Sequence, residues 1–479
     1  MPSSNFWIWI GSDFNFSGTA GRIRDFSAVP DGEFNLLAVL KSRFPIRELR
    51  LSLPPELHWE VHPVQNVAFP EAARLLPDLL LPETLVEVAE NTCAAFVIGG
   101  RIPGEMANLV QEFTVTAHSA NHPTRERKFR LHVAGRQAVT TAEQKCIFWP
   151  HWDTFCQYYH LELWSEEFWR RAEIFLKKMT EAGMNVIMAS VCHDPFRYPI
   201  PQEFHAFNHY PSMVRWIRHG DRSWSFDYSI YDRYVELNMR LGIDREIECH
   251  AMLPSNLQNP VLSYFDDANH LIHHATTCRS AEYREAWGCF LRDFAAHNRR
   301  RGWERLLTIC PYDEPLDPAS FISSVELVRA NAPEIRITCA ISSRLAVRVM
   351  DYIDIATVHG GNSCSRAALR KLRAAGVETR WYNCCTPVWG NTLFASELSD
   401  SYRMPFITLA NGFQGYLRWS IIDWTRDVLT NPGFNWPTGD THLLYPGGDG
   451  TPLESLRFLA LKRLRPLRYM VTLIKEARG

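Results

Sequence analysis

Two adjacent carboxylates stand at the end of a largely apolar run near the middle of the sequence. Residues 306–310 form this run, and Asp313, Glu314 and Pro315 follow it closely. The pattern predicts a buried strand whose polar end emerges at a rim, and Pro315 favours an extended backbone at Glu314. Because neighbouring acids repel each other, one of them should keep its proton more readily than a free carboxyl group does. That property suits a general acid near neutral pH. On the dipeptide alone, an acid pair that caps the next helix is the simpler interpretation.

A repeated strand–helix pattern surrounds this pair from residue 145 onward. Ser165, followed by two glutamates, predicts the start of the first helix, and Gly183 predicts its end. Eight apolar runs predict strands at 146–149, 184–191, 246–253, 306–310, 335–341, 353–358, 377–383 and 413–420. Helices are expected between them and at the end, at about 229–241, 281–300, 318–330, 343–350, 365–375, 396–402 and 453–475. Eight such units predict a TIM barrel. An open doubly wound sheet is the alternative, although no Gly-rich phosphate loop follows the first strand.

The first 140 residues have a different texture. Short apolar runs alternate there with Pro, Gly and Asn, and Val115 and Ala117 alternate with threonines in the period of a half-buried strand. One short helix is expected at residues 70–76. We therefore predict a β-sandwich over residues 1–140 and a catalytic (β/α)8 barrel over residues 141–479, joined by a linker at 136–143. No paired acids stand at the predicted strand ends of the sandwich, so we expect it to act as a scaffold.

The predicted carboxyl ends of the barrel strands are rich in aromatic and hydrogen-bonding residues. Active sites of TIM barrels lie at this end. The residues are His151, Trp152, Asp153, His193, Asp194, His250, Tyr312, Asp313, Glu314, His359, Trp381, Tyr382, Asn383, Arg418, Trp419 and Ser420. Trp and Tyr combine an apolar face with one polar group, which suits the C–H faces and hydroxyl edges of a sugar. For a single Trp, core packing is the simpler interpretation, but several at successive strand ends favour a carbohydrate-binding platform.

Metal and serine chemistry have weaker support. Side chains such as His151, Asp153, His160, His193 and Asp194 could bind a metal, yet no tight ligand motif is present. Cys384 and Cys385 are adjacent rather than spaced like a zinc pair, which favours packing. No Gly-x-Ser-x-Gly motif occurs. We predict neither a metal nor any other cofactor.

Composition sets further bounds. Lys and Arg number 51 against 53 Asp and Glu, so the balance favours neither a nucleic-acid nor a membrane partner. No signal peptide is visible at the N-terminus, and a cytoplasmic location is expected for the sequence as written. Several of the 12 cysteines lie in apolar runs, as small core residues do. The oligomeric state is left open, a homo-oligomer included.

Several motifs together carry a family resemblance. The strongest stretch is residues 436–450, WPTGDTHLLYPGGDG, followed by Ser455-Leu456-Arg457. The others are YDEP at residues 312–315, WYN at 381–383 and GYLRW at 415–419. With these motifs the chain resembles glycoside hydrolase family 123 and its relatives, β-N-acetylgalactosaminidases with an N-terminal β-sandwich and a TIM barrel. The resemblance covers about residues 145–468.

The resemblance implies roles for individual residues. Glu314 would be the general acid/base, and Asp313, kept ionised, would orient the 2-acetamido group of the substrate. Tyr382 would hold the acetamido carbonyl, and Trp419 would form the pocket floor. Asp440 and Tyr445 would support the loop after the last strand. Further substrate contacts are expected from Trp381, His151, Asp153, Asp194, Asn383 and Trp424.

These inferences predict a retaining exo-β-N-acetylgalactosaminidase that acts on a small or oligosaccharide substrate with terminal β-linked GalNAc. Ordinary retaining enzymes place two carboxyl groups on opposite sides of the scissile bond. Neighbours such as Asp313 and Glu314 are badly placed for that, so we expect substrate assistance through an oxazoline intermediate. One alternative is a glycosidase for another β-linked sugar, GlcNAc or a neutral hexose, with Asp153 or Asp194 as the second carboxylate. The other is a catalytically silent carbohydrate-binding protein.

Overall fold

The computed structural model describes residues 6–12, 25–30, 32–55, 59–135, 144–195, 210–254, 260–360 and 365–462. The predicted linker at 136–143 and the domain boundary at residue 140 lie outside these ranges. Among the described residues, no helix is both long and apolar enough to cross a membrane.

The N-terminal region forms a sandwich of two five-stranded sheets, with strand orders β1-β3-β8-β5-β6 and β2-β10-β9-β4-β7. The strands are β1 (Phe6–Ser12), β2 (Asp25–Ala28), β3 (Glu33–Ser42), β4 (Ile46–Ser52), β5 (Glu60–Phe69), β6 (Arg74–Leu80), β7 (Val86–Val88), β8 (Cys93–Arg101), β9 (Val110–His118) and β10 (Arg125–Val133). Alternate residues of facing strands fill the space between the sheets, as period 2 requires. Phe113, Val115 and Ala117 of β9 are buried there.

The short helix predicted at residues 70–76 is mostly wrong. Only Pro70–Ala72 make a single 3-10 turn, which Ala73 ends in a left-handed conformation, and β6 begins at Arg74. Residues 74–80 instead form an antiparallel ladder with β5. A short apolar pattern of seven residues does not distinguish a strand from a helix.

The barrel strands and an added sheet make up the rest of the β structure. The strands are β11 (Lys145–Phe148), β12 (Val186–Ser190), β13 (Arg215–Arg218), β14 (Trp224–Asp227), β15 (Glu246–His250), β16 (Val261–Phe265), β17 (Leu271–Ala275), β18 (Leu307–Ile309), β19 (Arg336–Ile341), β20 (Ile355–His359), β21 (Glu378–Asn383), β22 (Gly415–Arg418), β23 (Leu444–Pro446) and β24 (Pro452–Glu454). Eight of them form one parallel sheet in the order β11-β22-β21-β20-β19-β18-β15-β12. These are the eight predicted strands, and the TIM barrel prediction is confirmed.

The barrel is nearly closed between β11 and β12, where Asn185 joins the two strands. Its backbone N–H donates to the Cys146 carbonyl at 3.1 Å, and its side-chain oxygen accepts the Cys146 N–H at 2.9 Å. The side chain thus supplies a hydrogen bond that a strand ladder would otherwise make.

The helices surround the barrel strands and bury their apolar faces on them. They are α1 (Trp152–Tyr159), α2 (Glu166–Glu181), α3 (Ser229–Arg240), α4 (Ala281–Arg301), α5 (Pro318–Asn331), α6 (Ser343–Arg348), α7 (Arg366–Ala374), α8 (Leu398–Ala410) and α9 (Leu456–Lys462). Polar residues cap six of them; Ser165, for example, accepts the Phe168 N–H at 3.2 Å at the start of α2. The predicted starts of α2, α3 and α4 agree within one residue.

Other elements differ from the predictions. Residues 152–159 form α1 rather than a connection, because a helix of two turns is too short to show a clear period. Helix α8 continues to Ala410, past Pro405 in its interior. The long connection predicted after the second strand contains β13 and β14, which join β16 and β17 in a four-stranded sheet of sequence order β14-β13-β16-β17. Helix α9 begins at Leu456, three residues later than expected, and is described as far as Lys462.

A buried ion pair joins the sandwich to the barrel. Arg457 of α9 donates to both carboxylate oxygens of Asp78 in β6, at 3.0 and 2.7 Å. Tyr445 donates to the same carboxylate at 2.7 Å. The Arg457 guanidinium also binds the backbone carbonyls of Thr392, Gly439 and His442. The Arg457 guanidinium therefore binds both the first domain and the loop after the last barrel strand.

We expect Arg457→Met to lower the free energy of unfolding by about 3–5 kcal/mol, because it leaves the Asp78 carboxylate buried without its cation. Arg329→Met is the matched control, since Arg329 pairs with Asp354 at 2.9 Å on the surface and such pairs contribute about 0–1 kcal/mol. Denaturant unfolding followed by tryptophan fluorescence measures both. Equal losses in the two variants would contradict the role assigned to Arg457.

Candidate active site

The acid pair lies at the carboxyl end of β18, the fourth barrel strand. The Asp313 N–H donates to the Leu253 carbonyl at 3.1 Å, and the Glu314 N–H donates to the Ala340 carbonyl at 3.1 Å. The pair is thus attached to the segments on both sides of its strand. Glu314 has a φ of 43°, so the extended backbone predicted from Pro315 is wrong. The two hydrogen bonds fix a left-handed turn that costs about 1–3 kcal/mol for a residue other than glycine, and such strain is typical of functional sites.

The two carboxyl groups have different environments. Asp313 is only 6% exposed, and its Oδ1 has no hydrogen-bond partner among the described residues, whereas Glu314 is partly exposed. Burial, followed by the charges of Glu314 and Glu248, raises the pKa of Asp313 well above its ordinary value. The buried Asp313 carboxyl group therefore favours its neutral form. The sequence analysis expected Asp313 to be ionised and Glu314 to be protonated, and that assignment stays a prediction.

Tyr382 contacts the acid pair directly. It lies on β21, and its hydroxyl donates a hydrogen bond to Oε1 of Glu314. Burial and the adjacent Glu314 charge raise the pKa of Tyr382 well above its ordinary value, so its phenol remains a donor. The ring packs edge-on against His359 at 5.1 Å. Tyr382 is therefore a fixed hydrogen-bond donor beside the more exposed acid.

An aromatic cluster forms the floor beside these groups. Trp419 is 7% exposed, and its Nε1–H donates to Oδ1 of Asp440 at 3.0 Å. His151 donates to the Trp419 carbonyl at 3.0 Å and packs against the indole edge-on, while Trp436 lies 5.2 Å away on another side. Tyr382 belongs to the same apolar cluster. The indole of Trp419 is thereby fixed in orientation.

Three further predicted residues have partners or buried positions within the fold, and their contacts with a substrate stay a prediction. Asp194 accepts the backbone N–H of Tyr210 at 2.6 Å, and Tyr210 belongs to the aromatic cluster. Asn383 is fully buried; it accepts from the Tyr416 hydroxyl at 2.8 Å and donates to the Gly390 carbonyl at 2.9 Å. Asp153 is buried in the first turn of α1.

Trp381 and Trp424 are not brought to the site. Trp381 precedes Tyr382 on the same strand, so its side chain points to the opposite face, where it donates to Thr408 of α8 at 2.8 Å. Trp424 packs among the aromatic rings of α1 and α2 and donates to the Leu444 carbonyl at 2.7 Å. Both are core residues between strands and helices, and we withdraw them as sugar contacts.

The sequence analysis named His250 at the end of its strand but missed the charged residues Glu246, Glu248 and Arg380 inside the barrel. Glu246, Glu248 and His250 alternate along β15 with Ile247 and Cys249, which pack in the outer hydrophobic core. The Arg380 guanidinium, fully buried, binds Glu246 at 2.7 Å and Glu248 at 3.4 Å. The sequence contained a signal for the two glutamates, because acidic residues at alternate positions of a buried strand must share one face. Two further aromatic residues were not predicted as site residues: Trp149, which ends the first predicted strand, and Trp436, which begins the motif at 436–450.

One group of side chains has the composition of a metal site. Ligand atoms of His250, Cys310 and Asp313 all lie within 4.8 Å of one another. Burial by itself lowers the pKa of His250, but hydrogen bonds with Cys310 and Glu248 raise it to about 9. A metal would have to displace protons from all three side chains, which is unfavourable. We assign no metal to this group.

Comparison with known proteins agrees with this geometry. The family model for the catalytic domain of glycoside hydrolase 123 matches residues 149–464. Among solved structures, a family 123 glycoside hydrolase from Clostridium perfringens, described for glycolipid glycan hydrolysis, is similar at a TM-score of 0.86 and 20% identity. That match covers 99% of this chain and 89% of the other.

More distant structures share much less. A Bacteroides ovatus GH5 xyloglucanase matches at a TM-score of 0.36 and 10% identity, over 96% of this chain and 99% of the other. A GH2 β-galacturonidase from Eisenbergiella tayi matches at a TM-score of 0.38 and 10% identity, over 96% of this chain and 72% of the other. No curated protein sequence matches the chain. Because the family model spans well over half of the 479 residues, the protein belongs to glycoside hydrolase family 123 and is a glycoside hydrolase.

Proposed function

We propose that this glycoside hydrolase is a retaining exo-β-N-acetylgalactosaminidase that works by substrate assistance. The observation that carries the proposal is that Asp313 and Glu314 are consecutive residues at one strand end, with Tyr382 bound to Glu314. Of the alternative carboxylates, Asp194 binds the backbone of Tyr210 and Asp153 is buried in α1. The protein thus offers an acid and a polarising group on one side of a sugar, which leaves the nucleophile to the substrate.

The proton of the acid pair has to move for this reaction. The acetamido N–H of the substrate would donate to Asp313, and a hydrogen bond to the charged form favours ionisation of that carboxyl group. The proton then passes to Glu314, which is the more exposed acid. Glu314 donates it to the glycosidic oxygen as the acetamido carbonyl oxygen attacks the anomeric carbon and the glycosidic bond breaks. Water then opens the oxazolinium ion with Glu314 as the base, and the configuration is retained.

Tyr382 and Trp419 would position the substrate. The Tyr382 hydroxyl, bound to Glu314 in the structure, would turn to the acetamido carbonyl and hold its oxygen in line with the anomeric carbon. The Trp419 indole is fixed by Asp440, so it presents a rigid face on which the sugar ring can stack. Terminal β-GalNAc is the substrate class that we propose, and glycolipid glycans are one source to test.

Loss of the acid should nearly abolish turnover. We expect Glu314→Gln to lower kcat by about 10²–10⁴-fold on a substrate with a poor leaving group, without loss of folding. On an aryl glycoside whose leaving group needs no proton, the variant should retain more of the wild-type rate of the cleavage step. Glu326→Gln, on the exposed face of α5, is the matched control. Normal activity of Glu314→Gln on the poor leaving group would refute the assignment.

Substrate assistance makes the 2-acetamido group indispensable. We expect aryl β-GalNAc to be hydrolysed, plain aryl β-galactosides and β-glucosides to be very poor substrates, and a thiazoline analogue of the intermediate to inhibit strongly. Asp313→Asn should lower kcat, because the amide cannot stabilise the positive charge that develops on the acetamido nitrogen. Trapping of a covalent glycosyl-enzyme, or efficient turnover of β-galactosides, would overturn the mechanism. Failure to hydrolyse any glycoside would favour a silent binding protein.

Substitution of two tryptophans distinguishes a role in substrate binding from a role in core packing. We expect Trp419→Ala to raise KM through the loss of a stacking surface, a weakening of at most a few kcal/mol. Trp381→Ala should instead lower the free energy of unfolding by about 3–5 kcal/mol, as removal of a buried Trp side chain does. Steady-state kinetics and thermal unfolding of both variants measure the difference. If Trp419→Ala only unfolded the protein, its role would be core packing.

A further inference from the structure

His250 is fixed inside the barrel directly below the acid pair. It is 1% exposed, and its Nε2 lies 2.7 Å from Oε1 of Glu248, which is equally buried. The Trp149 ring packs edge-on against the imidazole at 4.5 Å. The Glu248 carboxylate and the Trp149 ring thus fix the orientation of the imidazole.

A chain of contacts leads from this imidazole to Asp313. The Cys310 side chain lies close to the His250 imidazole, and ligand atoms of His250, Cys310 and Asp313 lie within 4.8 Å of one another. Cys310 follows β18 and is fully buried. The order Glu248, His250, Cys310, Asp313 therefore connects the interior of the barrel to the acid that the proposed reaction requires in its ionised form.

The charges around this chain create a need for a cation near Asp313. Asp313, Glu314 and Glu248 bring three carboxyl groups together in a buried region. Arg380 lies on the far side of Glu248, and its guanidinium is shared with Glu246 and Glu378. Ionisation of Asp313 would be costly there without a positive charge beside it.

We propose that His250 is a positioning residue for the acid pair: held as an imidazolium by Glu248, it places positive charge beneath Asp313 through Cys310. This inference rests on the proposed function and deepens it, because the charge favours the ionised Asp313 that substrate assistance needs. The imidazolium is consistent with the pKa of His250, which is raised to about 9 against the effect of burial. Among the described residues, the imidazole contacts Glu248 on its own strand and lies within 4.8 Å of Cys310 and Asp313 after β18. The nearby Arg380 binds Glu248, and the Cys192 thiol lies against the backbone carbonyl of His250.

The test measures how kcat/KM of the His250→Gln variant depends on pH with an aryl β-GalNAc substrate. Glutamine keeps a donor for Glu248 but removes the positive charge, so the acid pair should ionise at higher pH. We expect the acid limb of the kcat/KM profile to move up by about one pH unit, with kcat lowered about tenfold and KM little changed. His297→Gln is the matched control, since His297 pairs with Asp232 at 2.7 Å in the helical layer. An unshifted profile and unchanged kcat in His250→Gln would overturn the inference.

A second pair of variants covers the case in which His250→Gln does not fold. Cys310→Ala breaks the contact between His250 and Asp313, whereas Cys310→Ser keeps a hydrogen-bonding group. We expect Cys310→Ala to shift the acid limb upward and Cys310→Ser to restore it. The NMR signal of the His250 imidazole can be assigned as the histidine signal that changes in Cys310→Ala. We expect this signal to report a protonated ring at neutral pH. A neutral ring, or a Cys310→Ala profile identical to wild type, would contradict the proposal.

The outcome for His250 is separable from that for the proposed function. If Glu314→Gln abolishes hydrolysis and the 2-acetamido group is required while the His250→Gln profile is unshifted, only the His250 inference fails. If β-galactosides are turned over efficiently, the substrate-assisted mechanism fails, and the His250 inference fails with it.

Discussion

The carboxyl group of Asp313 is almost fully buried next to the carboxyl group of Glu314, and the architecture of the site depends on that arrangement. A buried charge is costly unless a partner compensates it, so burial and the adjacent carboxyl groups raise the pKa of Asp313 well above its ordinary value. The left-handed backbone at Glu314 separates the environments of the two acids, leaving one buried and one partly exposed. Two consecutive residues can therefore take two different chemical roles.

The barrel interior and the loop after its last strand hold this pair from two sides. Below it, Arg380 and its glutamate partners fill the barrel with paired charge, and Glu248 orients His250. Beside it, Asp440 binds both Trp419 and the Arg418 guanidinium, which fixes the aromatic floor. Each of these ion pairs and hydrogen bonds restricts the orientation of the side chains that it joins. A rigid site is what a reaction needs in which the substrate itself supplies the nucleophile.

The sandwich contributes to the same rigidity. Asp78 in β6 binds Arg457 and Tyr445, and Glu71 accepts hydrogen bonds from both the backbone and the hydroxyl of Thr438. Both contacts are made to the segment that carries Asp440 and Trp436. The N-terminal domain is thus packed against the loop that supports the aromatic floor, which agrees with a scaffold rather than a second catalytic unit. The motif residues Tyr445 and Arg457 act in this junction, not in the chemistry.

Much of the fold could be predicted from the sequence because its signals are local. The alternation of apolar residues with threonines predicted a strand of the sandwich, and Ser165 and Gly183 predicted the ends of α2. The four-stranded sheet from β13 to β17 and the short helix α1 could not be foreseen, since their pairing and packing depend on residues distant in the chain. Period 2 also explains one error: Trp381 and Tyr382 are both aromatic, but neighbours on a strand must face opposite ways.

By itself, the sequence determined the identity of the acid pair, its place at a strand end and the eightfold repeat that builds a barrel around it. These follow from residue type and spacing, which are properties of a short stretch of chain. Tertiary structure alone decided that the pKa of Asp313 is raised, because that shift depends on burial and on the charges of Glu314 and of Glu248 from another strand. It likewise decided that Tyr382 binds Glu314 and that His250 lies behind Asp313. Electrostatic energies depend on distances through space, and only the folded chain sets those distances.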